Sequence, residues 1–75
     1  MNDIYYLSAK IRNIEGKDFY CFKILDLANE QIFTFYHNVD EKSKSLATGF
    51  KRFDNISDKL KFVIKRNNKI SFDIK

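Results

Sequence analysis

Residues 40–53 read Asp-Glu-Lys-Ser-Lys-Ser-Leu-Ala-Thr-Gly-Phe-Lys-Arg-Phe, and they interrupt a chain that otherwise alternates apolar and polar residues. Leu46, Phe50 and Phe53 recur in this stretch at i, i+4 and i+7, a spacing that places all three on one face of an α-helix. Asp40 is a suitable N-cap because its carboxylate accepts hydrogen bonds from the first helical turn. The stretch contains a glycine, which weakens a helix, so it predicts one short helix with its apolar face turned inward.

Three runs of period-two alternation precede this helix, over residues 4–14, 19–28 and 31–39. Alternation with one polar face is typical of half-buried β-strands. In the second run the apolar phase changes between Ile24 and Leu25. A β-bulge at that point would keep both apolar sets inside, so the sequence predicts a bulge in the second strand.

Two further runs follow the helix, over residues 59–66 and 69–75, and Asn67-Asn68 between them predicts a tight hairpin turn. The predicted order is therefore β-β-β-α-β-β in a single domain, residues 1–75. An open sheet of five strands in so short a chain would leave two long edges, and closure into a barrel removes them. The sequence predicts an all-β protein with one short helix, built as a five-stranded antiparallel OB-fold barrel. An SH3-like barrel is the alternative, although it usually has only a single helical turn, before its last strand.

The chain resembles the minimal OB-fold single-stranded DNA-binding proteins that phages, plasmids and other mobile elements carry. Residues 7–11, 16–26 and 32–36 are similar to the first three strands of such proteins, and residues 56–62 to the entry of their fourth strand. The resemblance implies sequence-independent binding of single-stranded DNA. The chain differs from many cellular proteins of this kind in having no acidic tail after the last strand. We therefore expect any recruitment of partners to work in another way or to be absent.

Composition excludes several functional classes. One cysteine, Cys21, cannot form an intramolecular disulfide, which favours a reducing, cytoplasmic setting. Together with His37 it offers two of the roughly four ligands that a zinc site needs, so we expect no metal or cofactor. No run is apolar enough for a signal peptide or a membrane span, and we expect no membrane association. Without a glycine-rich phosphate loop or paired carboxylates, we expect no enzymatic activity.

Charge favours a polyanionic ligand. Residues 1–40 carry four basic and six acidic residues, whereas residues 41–75 carry ten basic and four acidic residues. A basic half is typical of nucleic-acid-binding proteins, although a lysine-rich composition produces the same imbalance without a ligand.

Tyrosines interleaved with basic residues form the strongest candidate site, because proteins that bind single strands stack bases on aromatic rings and neutralise phosphates with lysine and arginine. The strand phase places Tyr6 with Lys10 and Arg12 on the polar face of the first strand. Lys51-Arg52 beside two phenylalanines, and the basic tip of the last hairpin, are further candidates. Rim tyrosines, solvated lysines and a solubilising turn are the structural alternatives. The predicted nucleic-acid-binding residues are Tyr6, Lys10, Arg12, Tyr20, Lys23, Thr34, Tyr36, Lys51, Arg52, Lys61, Lys65 and Arg66.

Two other partners stay open at this point. Aromatic residues and arginine are also favoured in protein interfaces, so a small protein-binding module, such as a phage-encoded inhibitor of a host or defence enzyme, is the alternative function. RNA is an alternative ligand, because stacking does not distinguish it from DNA. Since one OB unit covers only about 4–16 nucleotides, we expect a homodimer or a higher homo-oligomer.

Overall fold

The computed structural model describes residues 3–75 and is mostly β, with one short α-helix. The strands are β1 (Ile4–Ile14), β2 (Lys17–Asp26), β3 (Gln31–Asn38), β4 (Leu60–Ile64) and β5 (Ile70–Ile74). Helix α1 (Glu41–Gly49) lies between β3 and β4, and 3-10 turns cover Ser57–Lys59 and Arg66–Asn68. The order of these elements agrees with the prediction.

The strands form two separate antiparallel sheets, β1-β2-β3 and β4-β5. β5 packs beside β3 through side chains, with the Phe33 and Phe72 rings 5.3 Å apart, but the two sheets share no hydrogen-bonded ladder. The predicted closed barrel is therefore wrong for the residues that the structure describes. The reason lies at the start of β1, where Ile4 O accepts from Ile56 N–H at 2.8 Å and Tyr6 N–H donates to Asp54 O at 2.9 Å. The loop before β4 occupies the edge that β4 would need for closure.

The bulge lies in β1 and not in β2. Tyr6 pairs with Ile24 and Ser8 pairs with Lys23, which leaves Leu7 as the extra residue. A bulge reverses the alternation of its own strand. Tyr6 consequently faces the core before the bulge, and Ala9 faces it afterwards. The prediction of a bulge between Ile24 and Leu25 was wrong.

The core lies between the inner face of β1-β2-β3 and the base of the β4-β5 hairpin. Phe22 and Phe35 stack at its centre with ring centroids 5.2 Å apart. The buried core residues are Ile4, Tyr6, Phe22, Ile24, Phe35, Leu46, Ile56, Leu60 and Phe72.

Helix α1 packs against one end of this core, as predicted for Leu46 and Phe50 but not for Phe53. Leu46 is buried, and Phe50 packs against the core cluster. The helix ends at Gly49, and Phe53 has a φ of 74° and is 59% exposed, so the predicted inward position of Phe53 was wrong. The N-cap prediction is confirmed, because the Asp40 side chain accepts a hydrogen bond from Ser43 N–H at 2.9 Å.

Candidate nucleic-acid interface

The sheet β1-β2-β3 turns one face to the core and the other to solvent. Cross-strand pairing on the solvent side places Lys10 beside Cys21 and Cys21 beside Tyr36 in one row. Because side chains alternate along a strand, the neighbouring rows lie two residues away on each strand. We define the basic face as the solvent-side residues Ser8, Lys10, Arg12, Lys17, Phe19, Cys21, Lys23, Thr34 and Tyr36.

A shallow groove of about 200 Å³ runs over this face. Five residues that the sequence predicted as ligand contacts line it together: Lys10, Arg12, Lys23, Thr34 and Tyr36. Ser8 and Cys21 complete the lining, and Cys21 is buried at the floor. The structure therefore brings cations, a hydroxyl and an exposed phenol ring to a single surface.

The basic face carries charge of one sign. Among the residues that the structure describes, no acidic side chain occupies a solvent-side position on β1, β2 or β3. Asp18 and Asp26 take core-side positions on β2, and the other acids of this half lie in turns or at strand ends. The face therefore holds four cations inside the half of the chain with more acids than bases, and its local field attracts anions.

Two aromatic rings lie on the basic face. Tyr36 is 47% exposed, and Phe19 is half-buried with Lys17 Nζ 5.3 Å from its ring centroid. Phe19 is diagonal to Tyr36 across the β2-β3 pair, which corresponds to about 7–8 Å between such residues. Neither Phe19 nor Lys17 is among the contacts predicted from the sequence. Their alternation with the core residues of β2 was the signal that places them on this face.

Two predicted tyrosines do not lie on this face. Tyr6 is 6% exposed, and its hydroxyl donates to Ala47 O at 3.1 Å. Burial raises the pKa of Tyr6 above its ordinary value, and the nearby phenol of Tyr20 acts in the same direction. Tyr20 packs on the core with its ring 5.7 Å from that of Phe22. Tyr6 was misplaced because of the bulge, whereas Tyr20 shares the inward phase of Phe22.

The C-terminal candidates lie on other elements and do not line the groove. The Arg52 guanidinium is 5.4 Å from the Phe53 ring centroid, in the exposed loop before β4. Lys61 is on β4 opposite Asp73 of β5. The remaining predicted residues of this group are exposed, in the same loop or at the β4-β5 turn: Lys51, Lys65 and Arg66.

A larger cavity of about 650 Å³ opens between α1 and the base of the β4-β5 hairpin. Its floor is apolar, but its rim mixes acids with bases, Glu41 and Asp58 against Lys42 and Lys59. A rim of both signs does not favour a polyanion, so the basic face is the better candidate for one.

Comparison with known proteins adds no relative from which a function is transferred. The chain matches no family model, no curated protein and no solved structure. Over residues 3–75, no group of three or more metal-ligating side chains comes together. In the same range no helix has the length and apolar character to cross a membrane. Function is therefore inferred from the basic face itself.

Proposed function

We propose that this protein binds single-stranded DNA, without sequence preference, on the basic face. The observation that carries the proposal is the exposed ring of Tyr36 in the same groove as Lys10, Arg12 and Lys23, on a face with no acid. Stacking on such a ring contributes about 1–3 kcal/mol per base and is tolerant of sequence. Duplex DNA keeps its bases stacked inside, so the ring favours single strands.

The cations of the basic face bind phosphates. Each neutralised phosphate of a single strand contributes about −0.7 to the slope of log K against log salt. Engagement of Lys10, Arg12, Lys17 and Lys23 together corresponds to a slope of about −3, or roughly a fifty-fold loss of affinity between 50 and 200 mM salt.

The arrangement of elements supports an OB-like identity for the same proposal. In OB-folds the face of strands 2 and 3 binds oligonucleotides, and here β2 and β3 supply Phe19, Lys23, Thr34 and Tyr36. The barrel is open beside β4 in this chain, and this differs from the closed form of the fold. The basic face of one chain spans a few nucleotides. A homodimer or higher homo-oligomer, acting in the cytoplasm, extends the binding surface along a longer strand.

Fluorescence anisotropy of a labelled oligo-dT of about 30 nucleotides tests the proposal, with a duplex of equal length and an oligo-rU as comparison ligands. We expect saturable binding to oligo-dT, stronger than to the duplex and weakened by salt as above. Lys10→Gln reduces affinity, whereas Lys44→Gln, which removes the same charge from an exposed position on α1, changes it little. Equal weak binding to single strand and duplex would contradict the proposal, and preference for oligo-rU would make RNA the ligand.

A protein-binding module is the second candidate function, and a specific observation favours it. Phe62, Ile64 and Ile70 are 54%, 70% and 48% exposed on one face of the β4-β5 hairpin. Clustered exposed apolar side chains of this kind are typical of protein contact surfaces.

A further inference from the structure

Strand β4 has a free edge. Among the residues that the structure describes, β4 pairs only with β5. Lys65 N–H donates to Lys69 O at 2.7 Å, and Lys75 N–H donates to Lys59 O at 3.0 Å. In an antiparallel pair, hydrogen-bonded positions alternate with positions whose backbone groups point away. The odd-numbered positions of β4 therefore bond to β5, and the backbone N–H and C=O of Phe62 and Ile64 point to the free edge.

The two faces at this edge differ in chemistry. Phe62 and Ile64 are exposed on one face, where the side chain of Ile70 extends the apolar surface. Lys61 and Lys65 follow the opposite phase, where Asp73 of β5 lies opposite Lys61. Residues 59–75 contain six basic residues and one acid. The edge therefore presents unpaired backbone groups between an apolar face and a face with a net positive charge.

A second copy of this chain is a poor occupant for this edge. Antiparallel self-pairing that keeps both apolar faces on one side places Lys65 opposite Lys59 when it is centred on Phe62. Centring on Val63 places Lys61 opposite Lys65, and centring on Lys61 places that residue opposite its own copy. Centring on Ile64 avoids these pairs but overlaps only residues 63–65, because the turn begins at Arg66. Like charges directly opposite each other are destabilising, and lysines on edge strands are a common protection against self-association.

We propose that the free edge of β4 binds an extended peptide segment of a partner protein as an added β-strand, with apolar residues alternating with acidic ones. The apolar residues of such a strand cover Phe62 and Ile64, and its carboxylates face Lys61 and Lys65. Backbone hydrogen bonds to Phe62 and Ile64 supply affinity, and the alternation supplies specificity. The basic face takes no part, so this inference is independent of the proposed binding of DNA.

A synthetic peptide of about eight residues that alternates valine with glutamate is a direct probe. We expect the backbone amide resonances of Phe62 and Ile64 to shift in 15N-edited NMR spectra and their hydrogen exchange to slow. Two control peptides share this length: one has all its valines before its glutamates, and one alternates valine with lysine. Neither control is expected to protect these amides.

Ile64→Pro removes an N–H that points to the free edge, and the backbone hydrogen bonds between β4 and β5 stay intact. Proline is tolerated where the N–H of an edge strand faces solvent. Ile64→Thr is the matched control, which shortens the side chain but keeps the N–H. We expect Ile64→Pro to weaken peptide binding about three- to tenfold relative to Ile64→Thr. We expect Lys61→Glu to weaken binding of the valine-glutamate peptide as well, because it places a carboxylate opposite the carboxylates of the peptide. The amide spectrum of the core residues shows whether each variant is folded.

Three results would overturn the inference. Equal protection by the valine-glutamate peptide and by its block-ordered control would show that alternation does not matter. Shifts of the Phe62 and Ile64 amides with oligo-dT but not with the peptide would assign the edge to nucleic acid. A concentration-dependent shift of the same amides without any peptide would assign the edge to a second copy. The proposed DNA binding is tested separately, by the affinity for oligo-dT and its dependence on the ring of Tyr36.

Discussion

Lys10 and Tyr36 face solvent from β1 and β3 in the same row of the sheet, on either side of Cys21 of β2. Neighbouring strands lie about 4.8 Å apart, so the two backbones are roughly 10 Å from each other. Under the proposed function, this separation lets the cation contact a phosphate and the ring contact a base of one single strand.

Tyr36 is the residue whose ring matters most for the proposed function. Removal of the ring in Tyr36→Ala loses one stacked base, about 1–3 kcal/mol, and we expect affinity for oligo-dT to fall by about 5- to 150-fold. Tyr36→Phe keeps the ring and keeps most of the affinity. Anisotropy titrations measure both variants, and equal losses in the two would exclude stacking as the cause.

Tyr6 belongs to the core and not to the basic face. Tyr6→Phe removes the hydroxyl that donates to Ala47 O and leaves that acceptor without its partner. We expect a loss of about 1 kcal/mol in the free energy of unfolding and unchanged binding of oligo-dT. Urea denaturation gives the first quantity and anisotropy the second. Weaker DNA binding with unchanged stability would contradict the assignment.

The raised pKa of Tyr6 predicts that the stability of the fold decreases at alkaline pH. Its raised pKa means that the folded protein favours the neutral phenol, so its contribution to stability is present below pH 10 and is lost as pH rises above that value. Thermal unfolding between pH 8 and 11 measures this loss. Tyr6→Phe is expected to lose less stability than the parent chain over the same range, and an identical pH dependence would argue against it.

The N-cap of α1 predicts sensitivity to acid. The hydrogen bond from Ser43 N–H is the main cause that holds the pKa of Asp40 below its ordinary value, and His37 adds to it. A depressed pKa means that the cap stabilises α1 above about pH 4 and that this contribution is lost as pH falls below that value. We expect Asp40→Asn, which still caps, to flatten this part of the pH dependence of the melting temperature. A variant as acid-sensitive as the parent would rule out Asp40 as the group involved.

The bulge at Leu7 decides which side chains of β1 reach the core. Deletion of Leu7 makes the pairs Tyr6–Ile24 and Ser8–Lys23 consecutive, so the ladder becomes regular while Ile4 and Tyr6 still face the core. The main loss is the buried side chain of Leu7, roughly 1.5–3 kcal/mol, so we expect a folded variant with a cooperative unfolding transition at a lower urea concentration. Leu7→Ala removes most of the same side chain but keeps the bulge, and we expect a similar loss. A deletion variant with no cooperative transition would contradict the assignment of Leu7 as the extra residue.

Local patterns predicted the elements of this fold well. Alternation located the strands, and the spacing of Leu46 and Phe50 together with Asp40 located the helix. What the sequence could not show was the position of the bulge, because moving the extra residue from β1 to β2 satisfies a similar apolar pattern. Barrel closure failed for a related reason: backbone pairing of Ile4 and Tyr6 with the loop before β4 leaves no mark on side-chain periodicity.

The candidate site was predicted in part. Strand phase alone brought Lys10, Lys23 and Tyr36 to one face, since cross-strand neighbours follow from alternation once the pairing is known. The net charge of the two halves of the chain favoured the C-terminal half as the binding region instead. The acids of the N-terminal half are turned away from the basic face, and a sum over sequence cannot record direction.

Binding of DNA on the basic face is tested by a map of amide chemical-shift changes when unlabelled oligo-dT is added to 15N-labelled protein. We expect the largest changes on Lys10, Cys21, Lys23 and Tyr36, and we expect them to diminish as salt is raised. Changes confined to the β4-β5 hairpin or to the cavity beside α1, with the basic face unaffected, would contradict this expectation.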